Sequence, residues 1–346
     1  MVILKYIAFA LSMLALTGCY STFEPDVKTK PVLCINSLIT AGQPVKVKVT
    51  HTWQYDEPAD AYHNVDDAVV EIFANGKLAG DDYIAAEGDH IVIKASSPTY
   101  GAAEGEVTVP ECPVFTLPAP ELQLLTGKYI PTANNEDYIT LTFNMLVRPM
   151  LTDDNDADNY YLVSFNSQAP TVDPPDYDGD EIIYFPYYDA LYFSPGTIDY
   201  KSEPLFGEHI DVFESTVAGG EEFSFFSDRQ INGKKYSLTL RRLDCQFSAM
   251  VRLIEPAWYD FYEWVHIASI SESYYKWLLY TWHSEWGTLG QFADFGMGDP
   301  IGGYSNVSTG AGVIAAQSFT THKVSLRDFL EQNAQRLIDE HNKTRL

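Results

Sequence analysis

Residues 31–110 alternate short apolar and polar runs with turn residues, and this period of two constrains the fold more than any other feature of the chain. Val45-Lys46-Val47-Lys48-Val49 alternates strictly. Successive side chains of a strand point to opposite faces, so such a run buries one face and wets the other. Runs at 32–36, 68–73, 82–84, 90–93 and 105–109 continue the pattern. Asn75-Gly76 falls between two of them and signals a hairpin, because both residues tolerate the positive φ of a type I′ turn. About seven strands at this spacing predict an immunoglobulin-like β-sandwich over 31–117.

A proline-rich seam, with Pro110, Pro113, Pro118 and Pro120, ends this segment and marks the expected domain boundary, since proline cannot donate to a strand ladder. A larger β-rich domain, sandwich or barrel-like, is expected over 121–346. Its alternating runs lie at 138–143 and 160–165, and the turn Asn232-Gly233 suggests a hairpin between 223–226 and 236–240. Helical spacing comes late. Ile270, Tyr274, Trp277, Leu278 and Thr281 recur every three or four residues, with Ser271 and Glu272 near the start. Ser325 to Asp328 resembles a capping box that opens a last helix with Leu326, Phe329, Leu330, Leu337 and Ile338 on one side. The fold class is mainly β, with two or so late helices.

The first nineteen residues address compartment rather than fold. Lys5, an apolar run at 7–16 and Leu16-Thr17-Gly18-Cys19 form a secretory signal that ends in a lipobox. The apolar run is shorter than the ~20 residues of a membrane span, and the Cys19 thiol is the acceptor for a diacylglyceryl group. Residues 1–18 are therefore read as a signal peptide, Cys19 as the lipidated N-terminus and 19–30 as a linker leading off the membrane.

The formal charge of −26 sets a mean field that repels phosphate backbones and excludes nucleic acid as a partner. Cys34, Cys112 and Cys245 remain after lipidation, an odd number in an oxidising compartment. Cys34 and Cys112 share one expected domain and are the candidate disulfide; the alternative is three buried thiols acting as small apolar side chains.

Two acidic stretches, 152–159 and 173–180, carry oxygen side chains at the density a hard cation needs. Asp153, Asn155, Asp176, Asp178 and Asp180 are the weak candidate calcium ligands. Neither stretch has the EF-hand's glycine and terminal acid, so solvated loops are the preferred reading and no cofactor is expected. No nucleophile elbow, HExxH motif or singled-out carboxylate pair supports catalysis, and the balance leans away from an enzyme. The insertion at about 170–220 crowds Tyr184, Tyr187, Tyr188, Tyr192 and Phe193 together. Such aromatic faces suit stacking on a ligand or partner; equally, they suit capping of the second core.

Several stretches together resemble the domain of unknown function 4249 family, lipoproteins of Bacteroidota-type bacteria. They are Cys19, the run from Pro31-Val32-Leu33-Cys34 to Thr40, and Tyr100-Gly101 leading to Thr108-Val109-Pro110. Asp158-Asn159-Tyr160-Tyr161, Phe226-Ser227-Asp228 and Ile231-Asn232-Gly233-Lys234 follow. Ser271-Glu272-Ser273-Tyr274-Tyr275, Asp299-Pro300, Ser305-Asn306-Val307, Gly310 and Gly312 complete the set. The resemblance implies an outer-membrane location, with the cell surface favoured over the periplasmic face, and a TonB-dependent transporter as partner; it implies no catalytic residues. The expected function is a non-enzymatic accessory or ligand-binding lipoprotein in nutrient uptake, of unknown ligand. A surface hydrolase of glycans or peptides and an adhesin-like structural module are the alternatives.

Overall fold

The computed structural model describes residues 30–53, 58, 63–80, 82–132, 137–153, 157–168, 191–194, 196–209, 224–251, 262–285 and 303–345. The strands of the first half are β1 (Leu33–Thr40), β2 (Lys48–His51), β3 (Val69–Ala74), β4 (Lys77–Leu78), β5 (His90–Ser97), β6 (Gly101–Thr108), β7 (Val114–Thr116), β8 (Glu121–Ile130), β9 (Tyr138–Val147), β10 (Met150–Thr152) and β11 (Tyr160–Gln168). Those of the second half are β12 (Leu191–Ser194), β13 (Thr197–Asp199), β14 (Phe225–Ser227), β15 (Lys235–Ser237), β16 (Leu240–Met250), β17 (Tyr262–Ile270), β18 (Val307–Ser308) and β19 (Ile314–Ser325). Helix α1 (Glu272–Glu285) follows β17, and α2 (Arg327–Thr344) follows β19. Among the described residues the chain is mainly β with two late α-helices, as the alternating runs and the late helical spacing predict.

Four open sheets result, and none closes into a barrel among the described residues. The largest runs β14-β11-β17-β19-β1-β2, a second runs β18-β6-β5-β3-β4, a third β12-β16-β9-β8 with β13 also on β16, and a small one β15-β10-β7. The β3–β4 hairpin turns through Asn75 (φ 51°) and Gly76 (φ 77°), the two positive φ values of the predicted type I′ turn. At 82–84 only an isolated bridge forms, between Pro44 and Ile84. Ile231 to Lys234 does close a turn, through Lys234 N–H to Ile231 O at 2.9 Å, but it joins strands of different sheets: β14 pairs β11 and β15 pairs β10.

Two cores organise these sheets. In the first, Leu33, Ile35 and Ile39 of β1 pack with Ile72, Ile91, Ile93 and Val107 of the facing sheet, making the expected sandwich. This core also takes Val307, Ile314 and Ala316 from the far end of the sequence. β1 pairs in parallel with β19, Ser37 opposite Ile314, and β18 extends the β6 edge, Val307 opposite Gly105. The proline seam therefore does not separate the sheets, and Val32–Thr52 with Tyr62–Leu346 forms one compact unit. The physical reason is edge satisfaction: without β18 and β19, both β1 and β6 would present unpaired backbone groups beside an apolar face.

The second core lies between β9–β16 and β11–β17. On β9, Ile139, Leu141, Phe143, Met145 and Val147 point inward, each no more than 1% exposed. A register slip on β16 between Arg242 and Cys245, with Asp244 at φ 57°, turns Arg242 into this core. There it meets Glu263 of β17 at 2.7 Å and lies 4.9 Å from the Phe165 ring centroid. Losing one member of such a buried pair costs about 3–5 kcal/mol, because the other charge is then stranded away from water.

Three local expectations need correction. The first late helix starts at Glu272, because Ile270 still belongs to β17 and pairs with Tyr160 and Gln317. The predicted capping box at α2 is absent: Leu326 holds the N-cap position with no side-chain bond, while Ser325 Oγ accepts only from Arg327 N–H at 3.3 Å. Cys34 and Cys112 are free thiols, as is Cys245. Cys34 bridges Ala311, three positions before the Ser37–Ile314 pair, whereas the Cys112 thiol lies against Phe319 O, five positions beyond that pair. At ~3.3 Å per strand residue the two sites are about 26 Å apart, far beyond the reach of a disulfide.

Candidate binding groove

Period-two alternation on β1 puts Leu33, Ile35, Ser37 and Ile39 into the core and Cys34, Asn36 and Leu38 on the outer face of the sheet. The pairing of Asn36 with Lys48 places Lys48 on that same face, with Lys46 two residues earlier on the neighbouring chain segment. On the other flank Leu38 pairs with Ala315 of β19. These residues floor a groove of about 530 Å³, also lined by Val47, Val313, Tyr274 and Trp277.

The wall comes from α1, and its placement is fixed by hydroxyls. Ser271 caps the helix by accepting from Tyr274 N–H at 3.2 Å, and its Oγ also accepts from Ala316 N–H at 3.0 Å. Ser273 Oγ donates to Ile314 O at 2.8 Å and meets Ser271 Oγ at 2.9 Å. The first turn is thus bolted to β19. Tyr274 and Trp277, at i and i+3, then share one helix face, with ring centroids 5.9 Å apart. Glu272 pairs with Lys276 at 2.9 Å in an i,i+4 bridge, which draws Lys276 toward Glu272. Trp277 is 39% exposed and Leu38 45%, so the groove presents apolar surface to solvent.

Its charged groups are cations. Asn36 Oδ1 accepts from Val313 N–H at 3.2 Å, while Asn36 Nδ2 has no partner among the described residues. Lys46 and Lys48 have no acidic partner among the described residues. None of the ten lining residues is an acid, in a chain with 48 acids against 22 Lys and Arg.

The residues singled out from sequence lie elsewhere. Cys19, Asn155, Asp176, Asp178, Asp180, Tyr184, Tyr187 and Tyr188 fall outside the described residues. Tyr192 and Phe193 sit on β12, in register with Ser248 and Phe247 of β16. Asp153 is buried, and its oxygens are already taken. Oδ1 accepts from Asn159 Nδ2 at 3.1 Å and from the Tyr161 hydroxyl at 3.2 Å, and Oδ2 accepts from Gly233 N–H at 2.7 Å. Among the described residues no group of three or more His, Cys, Asp or Glu side chains could hold a metal ion.

Its neighbour is Asp228, fully buried, whose Oδ2 accepts from Asn159 N–H at 2.9 Å and Asn159 Nδ2 at 3.1 Å. Asp228 Oδ1 has no partner among the described residues. Burial pushes the Asp228 carboxyl above its ordinary range and the charges of Asp153 and Asp158 push the same way, against the bonds from Asn159. Burial also drives the Tyr161 phenol far upward, helped by Asp153. The knot of Asp153, Asn159, Tyr161 and Asp228 joins three chain segments and is structural: it consumes donors rather than offering them to a ligand.

The same is true of the late stretch around Asn306. Its side chain brackets Ile314, accepting from Ile314 N–H at 2.9 Å and donating to Ile314 O at 2.9 Å. Chain 309–313 runs against β1, with Ile35 N–H to Ala311 O at 2.9 Å and Ala311 N–H to Leu33 O at 2.8 Å. At Gly312, with φ 111°, a Cβ would lie 2.1 Å from Ile35 O, so only glycine fits.

Sequence reasoning missed the groove. Lys46 and Lys48 were visible as the wet side of an alternating run, but their companionship with Trp277 depends on β1 pairing with β19. No curated protein and no solved structure matches the chain. The profile of the family described as Domain of unknown function (DUF4249) matches residues 20–323. The motif stretches Asp158 to Tyr161, Phe226 to Asp228, Ser271 to Tyr275 and Ser305 to Val307 all fall within this match, and in the fold they form the joints just described. The chain belongs to the DUF4249 family.

Proposed function

We propose that this protein is a lipid-anchored outer-membrane lipoprotein that works without catalysis, as an accessory or ligand-binding partner of a TonB-dependent transporter in nutrient uptake. The observation that carries the binding part is the open groove at Leu38 and Trp277, apolar in its floor and lined by two lysines and no acid. The anchor rests on the apolar run and lipobox that end at Cys19. The transporter partner rests on the family resemblance, and the cell-surface face is the favoured side.

Affinity isolation from detergent-solubilised outer membrane, using a C-terminal tag, tests the partner directly. A TonB-dependent transporter in stoichiometric amount is expected. Recovery of the lipoprotein alone, under conditions that keep other envelope complexes intact, would count against the reading. Cys19→Ala tests the anchor: the variant should leave the membrane pellet after a high-salt wash, and its retention there would remove the lipid from the account.

A further inference from the structure

The groove's chemistry narrows what it can hold. A pocket of about 530 Å³ falls in the usual range for a small organic ligand. Leu38, Val313 and Ala315, with the aromatic side chains of Tyr274 and Trp277, line the groove and offer apolar contact to an apolar body. Aromatic rings at this spacing give large contact area at small entropy cost. The rim is different in kind. Lys46 and Lys48 stand on the outer face beside Asn36, whose Nδ2 is the third donor without a partner among the described residues.

Local charge complementarity then favours an anionic ligand. The protein carries a formal charge of −26, and among its described lysines Lys94 and Lys276 are each held by a glutamate while the others, Lys46 and Lys48 included, stand in no ion pair among the described residues. What sets Lys46 and Lys48 apart is that both line one largely apolar groove in which no lining residue supplies a carboxylate. Asn36, Lys46 and Lys48 are exposed, and a carboxylate gives both ammonium groups and Asn36 Nδ2 a partner at once, which a neutral apolar ligand does not. An exposed ion pair is worth up to about 1 kcal/mol, so the two lysines together give up to roughly a tenfold gain in affinity.

We infer that the groove between α1 and the β2–β1–β19 face binds a small organic carboxylate with a flat or aliphatic apolar body, the carboxylate at Lys46, Lys48 and Asn36 and the body against Leu38 and Trp277. This deepens the binding reading given above and rests on it only for the claim that the groove is used. No covalent step is involved.

The test uses the full lipidated chain in a non-ionic detergent. Binding of 2-naphthoate, 2-naphthamide and decanoate is measured by equilibrium dialysis against protein-free micelles. Saturable one-site binding of 2-naphthoate is expected, with 2-naphthamide, its neutral isostere, roughly tenfold weaker. The double variant Lys46→Gln/Lys48→Gln should lose roughly tenfold for 2-naphthoate and decanoate while 2-naphthamide is unchanged. Leu38→Glu should abolish binding of all three. These are exposed positions, and melting temperatures matching the parent establish that the variants fold. Equal affinity for acid and amide, an unaffected double variant, or no saturable binding would each overturn the inference. So would saturation by the acidic apolar peptide acetyl-Asp-Leu-Asp-Phe where 2-naphthoate fails, which would assign the groove to a protein partner. Absence of a co-purifying transporter overturns the transporter reading alone, because dialysis is done on the isolated chain.

Discussion

Asp89 and Asp228 are both buried carboxylates, and their surroundings push them in opposite directions. Asp89 Oδ2 accepts from Ala86 N–H at 2.8 Å and from the Tyr83 hydroxyl at 2.7 Å, and Oδ1 accepts from Asn75 Nδ2 at 2.7 Å. The Ala86 N–H, then the Tyr83 hydroxyl, hold its carboxyl below the usual range, against the effect of burial. A depressed carboxyl adds stability above the unfolded value, ~3.9, and loses it as pH falls through the folded value. Asp89→Asn puts an amide against donors and should cost about 2 kcal/mol at pH 7, a deficit that shrinks below about pH 4, measured by urea unfolding. Asp228 is raised, so its ionised form is penalised in the fold, and its effect on stability worsens as pH rises from ~3.9 upward. Asp228→Asn keeps an oxygen for Asn159 and removes the charge. Its stability relative to the parent should therefore improve from pH 4 to pH 7; a relative loss over that range would mean that the carboxylate is favoured in place. Neither acid's role could be read from its neighbours in sequence. Asp153 stood out as one member of an acidic run, but the Gly233 N–H that holds it comes from 80 residues away.

At the scale of elements, what could be read was local. The alternation of β9 and the Asn75-Gly76 turn each depend on residues within a few positions, and each forms as the pattern predicts. The capping box at α2 failed because Leu326 is only 1% exposed, and its burial in the second core fixes the entry to the helix without a side-chain cap. The parallel pairing of β1 with β19 has no local signal: Gln317 Nε2 donates to Thr40 Oγ1 at 3.1 Å across 277 positions. Its one trace in the sequence is the pair Gly310 and Gly312, noticed as a family feature and explained only by the backbone of β1. Gly312→Ala would drive a methyl into Ile35 O and strain a φ of 111°, and should destabilise by roughly 3 kcal/mol or more. Gly42 also has positive φ, at 76°, but a Cβ there meets nothing within 4 Å, so Gly42→Ala should cost only about 1–2 kcal/mol. Thermal melts of the two variants separate close approach from backbone conformation. Equal losses would show that contact with β1 contributes nothing.

At the scale of the whole molecule, the two cores are distinct but the chain crosses between them more than once. The proline seam predicts a boundary between two domains, and the buried side chains divide into two clusters. The first core is closed by strands that arrive some 200 positions later, with Ser308 Oγ and Thr309 Oγ1 donating to Glu104 O and Ala102 O. β19 then continues into the second core, where its residues pair with β17 along its length. Its other side is tied to the seam itself, since Ser318 Oγ donates to Pro110 O at 2.6 Å and Thr320 Oγ1 to Pro113 O at 2.7 Å. One strand thus belongs to both cores, and neither core is complete without it. A fragment of residues 31–117 keeps the alternating pattern from which a self-standing sandwich was expected, yet it exposes Leu33, Ile35 and the free edges of β1 and β6. It should show no cooperative thermal transition and should aggregate through those edges, as unpaired strands beside apolar faces do. Addition of a peptide spanning 303–325 should restore a cooperative melt, while the same peptide carrying Gly312→Ala should not. A fragment that folds by itself would place the stability of the first core in its own strands and leave β19 as a late addition.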